Sequence, residues 1–271
     1  MKASIQTQKS KAVSGTKEWS AHSVNIQTGC KYDCKFCFAK CMAVRFGRCT
    51  SKSWAKPVIN KAAIDKHYGK KNGAIMFPTT HDITENNLDS CLVVLNKMLE
   101  AGNNVLIVSK PRKAVIKKLC KNLAPFKKQV LFRFTITSAN NKTLHYWEPG
   151  APAFQERVAA LKIAYKAGFK TSVSCEPLLD LDPAPIIRAT RGLVTDAIWL
   201  GRVNRLRQTL AINCPGDTEA RVRADQLLAA QSDAWVRDLY AEYKNDRKIK
   251  WKDSIKKVIG LARPIEKGLD I

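Results

Sequence analysis

The sequence predicts an α/β fold: a partial (β/α)6 TIM-like barrel with a small helical C-terminal extension. Three observations lead there. Six short apolar segments alternate with helix-length connections, the pattern of a parallel sheet. Two of those segments carry a polar face opposite their apolar one. The chain has 271 residues, 45% of them apolar, enough for one such core. A doubly wound open sheet is the runner-up.

The elements follow in order. Ser23–Thr28 alternates with period two and reads as the first strand, followed by a cysteine-rich loop. Phe38–Phe46 is helical, stopped by Gly47; Arg48–Lys56 is irregular and basic, and Val58–Tyr68 reads as a further helix. Strands are expected at Ala74–Phe77, Val105–Ser109, Val130–Thr137, Thr171–Cys175 and Ala197–Gly201. Helices are expected between them at Asn87–Ala101, Lys113–Asn122, Ala153–Ala167 and Pro185–Thr190, with Gly102 and Gly168 as C-terminal stops. After Cys214-Pro215-Gly216 the pattern changes to two amphipathic helices, Thr218–Ala230 and Asp233–Tyr243. The stripe Trp235, Leu239 and Tyr243 reads as core packing. This divides the chain into a basic tail (1–18), the barrel (19–215) and a basic helical extension (216–271).

The two-faced strands favour a barrel with a polar interior. Val130, Phe132, Phe134 and Ile136 oppose Arg133, Thr135 and Thr137; Val173 and Cys175 oppose Ser172, Ser174 and Glu176. Helices cover apolar faces, so the polar set points inward, where it is costly unless it is hydrated or meets a polar ligand. Sites in such folds lie at the carboxyl ends of strands.

Charge says something about partners. The formal net charge is +24, and residues 1–72 hold 15 Lys/Arg against 3 Asp/Glu. Such an excess favours a polyanion, nucleic acid foremost, over a merely solvated surface. The N-terminus lacks an apolar leader and no run is long enough to span a membrane, so a cytoplasmic protein is expected. Nine cysteines, an odd number, argue against a disulfide framework.

Cys30, Cys34 and Cys37 stand at C-x3-C-x2-C spacing directly after the first strand. A loop this tight brings three thiolates together, as an iron–sulfur cluster or a zinc site requires. A structural zinc would need a fourth ligand such as Cys41, Cys49 or His22, and no second Cys/His pair follows downstream. Phe36 and Phe38 surround the loop with aromatic surface, which suits a shielded cluster. Three cysteines would leave one iron of a [4Fe–4S] cluster open.

Gly-Cys-x3-Cys-x-Phe-Cys-Phe after a first strand, with five more strand–helix units behind it, resembles the radical S-adenosylmethionine (SAM) superfamily. The phrases Trp147-Glu148-Pro149-Gly150-Ala151-Pro152 and Ser174-Cys175-Glu176-Pro177-Leu178-Leu179 are similar to its small spore photoproduct lyase-like branch. The resemblance covers roughly residues 20–205. It implies that Cys30, Cys34 and Cys37 hold a [4Fe–4S] cluster whose free iron chelates SAM. It also implies that a one-electron reductant such as a flavodoxin or ferredoxin triggers release of a 5′-deoxyadenosyl radical, which abstracts hydrogen from the substrate. Phe36 matches the aromatic position near the adenine. Where relatives carry a Gly-Gly-Glu-type motif for the SAM amine, this chain has Phe77-Pro78-Thr79-Thr80-His81-Asp82, so Thr79, Thr80 and Asp82 become the candidate acceptors.

Cavity geometry adds Ser109, Lys110, Arg133, Thr135, Thr137, Ser174 and Glu176 as cofactor contacts, with Glu176 meeting either the ribose or Arg133. Arg202, Asn204 and Arg205 are candidate substrate contacts. The expected substrate is nucleic acid or a nucleobase derivative, and branch resemblance implies a lyase-type reaction. Cys175 points away from the cavity and no cysteine stands in the loop after the second strand, which speaks against thymine-dimer repair by a cysteine hydrogen donor. The alternatives are a peptide or small-metabolite substrate, and a non-catalytic, zinc- or cluster-stabilised nucleic-acid-binding protein.

Overall fold

In the computed structural model, which describes residues 12–269, the first strand is shorter than its alternation implies. Only β1 (His22–Ser23) joins the main sheet; β2 (Gln27–Thr28) pairs antiparallel with β3 (Val58–Ile59). The break has a side-chain cause. Asn25 Oδ1 accepts hydrogen bonds from Thr79 N and Thr80 N at 2.7 and 2.9 Å, drawing the chain off the sheet. The helix expected over Val58–Tyr68 is likewise divided. The β-branched pair Val58 and Ile59 takes the strand, and Asn60 caps the short α-helix that follows it by accepting from Ala63 N.

The remaining units match the expected order. Helix α1 (Phe38–Arg45) follows the cysteine loop, and α2 (Lys61–Asp65) follows β3. Then come β4 (Ile75–Phe77), α3 (Leu88–Glu100), β5 (Val105–Ser109), α4 (Lys113–Asn122) and β6 (Val130–Thr135). Helices α5 (Asn141–Trp147) and α6 (Phe154–Lys166), strand β7 (Lys170–Cys175), helix α7 (Ala184–Thr190) and β8 (Ile198–Leu200) follow. Of these, α5 was not anticipated. Beyond them lie α8 (Leu206–Asn213), also unanticipated, then α9 (Thr218–Ala230), α10 (Asp233–Tyr243), β9 (Ile249–Trp251) and α11 (Asp253–Ile259).

The main sheet has seven parallel strands in the order β1-β4-β5-β6-β7-β8-β9. It is a partial barrel, with β1 and β9 as its free edges. The extension expected to be purely helical therefore supplies a seventh strand, hidden in the sequence by its brevity and flanking lysines.

The two faces of the sheet divide as the alternation implies. Phe132, Phe134, Ile136, Val173 and Cys175 are buried in the outer core with the apolar faces of the helices, and Leu239, Trp235 and Tyr243 pack there too. Inside, Trp19, Met76, Leu106, Ala197 and Trp199 form a separate apolar plug. Residues Gly15–Glu18, read above as tail, form a 3-10 turn with Glu18 buried. Lys252, just after β9, reaches this turn: its Nζ lies 2.9 Å from Glu18 Oε1 and 3.2 Å from Gly15 O. The segment before β1 is thus tied to the opposite edge of the sheet. Residues 1–11 of the expected tail lie outside the described residues. Among the described residues no helix is long and apolar enough to cross a membrane.

Candidate cluster and cofactor site

The cysteine loop is pinned at four points. Cys30 N donates to Trp54 O at 2.9 Å, Lys35 N to Trp147 O at 2.9 Å, and Gly150 N to Tyr32 O at 3.1 Å. Asn213, the last residue of α8, donates to both Lys35 O and Cys37 O at 2.9 Å. Two glycines make the approach possible. A Cβ on Gly29 would meet Trp54 O at 2.6 Å in a backbone with φ +94°, and one on Gly150 would meet Lys31 O at 2.5 Å. Asp33 adopts φ 45° and is held by the buried Lys40 at 2.7 Å. Cys37 caps α1, its Sγ accepting from Lys40 N at 3.3 Å.

The three thiols sit in a water-poor setting with Tyr32 and Trp54. Burial, reinforced by Asp82, pushes the Cys30 thiol up to about 12. Burial also raises Cys34 and Cys37, although Lys110 and, at Cys37, the backbone of α1 work the other way. Left as thiols they are poor nucleophiles; a bound cation is what would draw off their protons. Among the described residues no three His, Cys, Asp or Glu side chains gather where one metal ion could sit. Zinc needs its thiolates about 2.3 Å from one centre, whereas a cubane takes them at separate irons.

Above the loop a chain of charges crosses the carboxyl ends of β4, β5 and β6. Cys30 Sγ lies 3.8 Å from Asp82 Oδ2, its thiol the donor. Asp82 Oδ1 accepts from Ser109 Oγ at 2.9 Å and from Lys110 N, and Lys110 Nζ stands 3.7 Å from Oδ2. Lys110 Nζ is also 4.0 Å from Glu148 Oε1 and 5.9 Å from the Phe36 ring centre. Burial opposes the Lys110 charge, yet Asp82 and Glu148 hold its pKa well above the usual lysine value. Glu148 in turn pairs with the fully buried Arg157 and accepts from Thr137 Oγ1 at 3.0 Å. Arg157 also donates to Pro152 O at 2.8 Å.

The predicted site residues thus do not all meet in one place. Phe36, Asp82, Ser109, Lys110 and Thr137 surround the cysteine loop or its charge chain. Thr79 and Thr80 lie beside it but are engaged with Asn25, whose Nδ2 donates to Thr79 Oγ1 at 2.7 Å. Thr135 and Ser174 are register partners on the inner face, with Ser174 buried. Arg133 is elsewhere. It is fully buried, 2.9 Å from Asp196, and lies over the rings of Trp19 and Trp199 at 4.7 and 5.2 Å. Glu176 stands 3.4 Å from Lys252, so the expected Arg133–Glu176 pair is replaced by two others. Arg202, Asn204 and Arg205 line a pocket after β8, away from the charge chain. Sequence reading missed Asn25, Asn213, Arg157 and the role of Glu148. Only Glu148 gave a signal, in the Trp-Glu-Pro-Gly phrase, since the others act through contacts distant along the chain.

Solved structures match this fold. A spore photoproduct lyase mutant with dinucleoside spore photoproduct aligns with a TM-score of 0.56, over 90% of this chain and 79% of that one, at 13% identity. The chain shares the fold of spore photoproduct lyase. A second mutant of that enzyme, with bound AdoMet and dinucleoside spore photoproduct, aligns over the same shares at 14% identity with a TM-score of 0.53. No family model matches the sequence. Among curated proteins, the uncharacterized protein ORF301 of Acidianus two-tailed virus is 27% identical over 168 residues, or 58% of this chain. The match spans 55% of ORF301, about half its length.

Proposed function

We propose that this protein is a radical SAM enzyme acting on nucleic acid or a nucleobase derivative, by a lyase-type reaction. The observation that carries the reading is the set of three thiols, two buried and Cys37 half-buried, at the carboxyl end of a parallel partial barrel, facing the Asp82–Lys110 pair. Cys30, Cys34 and Cys37 would hold a [4Fe–4S] cluster and leave its fourth iron to SAM. When bound, cluster and SAM supply the one-electron chemistry that begins hydrogen abstraction. The chain's own residues position and shield. Asp82 and Ser109 offer oxygens for an ammonium, Lys110 a cation for a carboxylate, and Phe36 an aromatic face, in a site from which the loop excludes water. The basic charge and the nucleoside ligands named for the solved neighbours support the substrate class.

The test is anaerobic. Reconstituted protein should hold about four irons per chain, as a cubane requires. With SAM and dithionite, or a flavodoxin- or ferredoxin-type donor, it should release 5′-deoxyadenosine. Cys30→Ala, Cys34→Ala and Cys37→Ala should each abolish both. Colourless protein with one tight zinc would instead establish the non-catalytic reading.

A further inference from the structure

We propose that the pocket behind the carboxyl ends of β8 and β9 binds a backbone phosphodiester of a nucleic-acid strand; this rests on the nucleic-acid reading above. The pocket has a volume of about 350 Å³ and is lined by Arg202, Asn204, Arg205, Gln231, Ser254 and Lys257, with two apolar residues. Three of these are cations and none is a carboxylate. Arg202 and Lys257 are steadied by Asp233 at 2.8 Å and Asp253 at 2.6 Å, both outside the lining. Asp253 is shared with Arg263 at 2.5 Å, so four cations face two carboxylates here. Arg205 is exposed and has no ion pair among the described residues.

The neutral groups add donors. The Ser254 hydroxyl is shielded from solvent without a hydrogen-bond partner among the described residues. Helix α8 opens at Arg205, whose side chain does not cap its first N–H groups. Guanidinium, ammonium, hydroxyl and free backbone N–H groups around one concavity make a phosphate site.

Position gives the pocket a purpose. Helix α8 runs from its N-cap, Arg205, to Asn213, which holds the cysteine loop by two backbone oxygens. Its eight residues span about 12 Å. A strand with one phosphate in the pocket would therefore carry a neighbouring nucleotide toward the cluster loop.

The experiment measures binding alone, on reconstituted full-length protein without reductant or SAM. The probe is a fluorescein-labelled single-stranded hexathymidylate, followed by anisotropy across a salt series. Arg205→Ala and Lys257→Ala should each weaken binding about fivefold and lower the salt slope by about 0.7, the value for one phosphate contact on a single strand. Neutral methylphosphonate linkages should weaken the wild type similarly and add little to the loss in Arg205→Ala. Melting temperatures check the fold, and the methylphosphonate arm needs no variant. Wild-type affinity and slope in both variants, or undiminished binding of the methylphosphonate strand, would overturn the proposal. So would displacement by inorganic phosphate at concentrations matching the oligonucleotide, which would mark a free-phosphate site. Missing iron would sink the radical reading without touching this measurement.

Discussion

At the scale of single residues, burial decides which charges matter. Arg157 and Glu148 are both inaccessible to water, so Glu148→Gln would leave a guanidinium buried without its counter-charge. We expect a loss of about 3–5 kcal/mol in urea unfolding, and lower iron retention as the Trp147–Gly150 segment loosens from the loop. Gly150→Ala attacks the same contact sterically. Its Cβ would press on the Lys31 carbonyl and on Tyr32 Cα at 2.8 Å, both backbone. Since backbone cannot swing aside, a cost of about 1–3 kcal/mol should accompany reduced iron uptake.

His81 sets a pH dependence. It is buried, accepts from Ile26 N at 3.2 Å through Nε2, and places Nδ1 3.1 Å from Asp82 O. Burial lowers its pKa to about 4. The unfolded chain therefore takes up the proton first as pH falls. The stability tied to neutral His81 is full above about 6.5, declines on the way down to about 4, and changes no further below that. Denaturation midpoints measured from pH 7 to pH 4 should fall accordingly, and His81→Gln should show a shallower slope. Equal slopes would show that other groups carry the effect.

At the scale of elements, α8 does more than fill a gap. It ends in Asn213, whose amide donates to the carbonyls of Lys35 and Cys37, the second of which also accepts from Cys41 N at 3.1 Å, and Lys35–Asp217 closes the same junction at 2.5 Å. Asn213→Ala should cost about 1–3 kcal/mol, the penalty of taking the donor from the Lys35 carbonyl. It should also increase oxygen sensitivity of the reconstituted protein, read as faster loss of its visible absorbance in air. The helix was not apparent in the sequence because Leu206–Asn213 is short and mixed in polarity. Strand β9 escaped notice for a similar reason: three residues give too little alternation to register. The long periodic units α3, α4, α6 and β5 to β7 were apparent because each repeats its pattern several times.

At the scale of the whole molecule, an open barrel has two edges to manage. Here Lys252 links the β9 edge to the turn before β1, with no exposed side-chain surface and Glu18 as its near partner. Glu18→Gln should cost about 3 kcal/mol, because Lys252 would keep only the more distant Glu176. Asp225→Asn, which breaks the exposed Arg207–Asp225 pair, should cost under about 1 kcal/mol. Matched urea titrations of the two variants test whether burial, and not the mere existence of an ion pair, sets the value.

Much of the site was written locally. C-x3-C-x2-C spacing places three thiols on one loop, and strict alternation in Val130–Thr137 and Thr171–Glu176 assigns each side chain to a face, because neither depends on distant partners. Face, however, does not determine depth. Arg133 and Thr137 share the inner face, yet one is locked into the tryptophan plug and the other joins the charge chain at the mouth. Which charges pair was also left to the fold. Asp82 with Lys110, Glu148 with Arg157 and Lys252 with Glu18 meet only when loops from different strands converge, and no spacing along the chain records that convergence. The sequence by itself determined the cysteine loop and the polarity of the barrel around it. Tertiary structure alone decided which polar residues stand at the mouth, and placed a basic pocket one helix away from the cysteines.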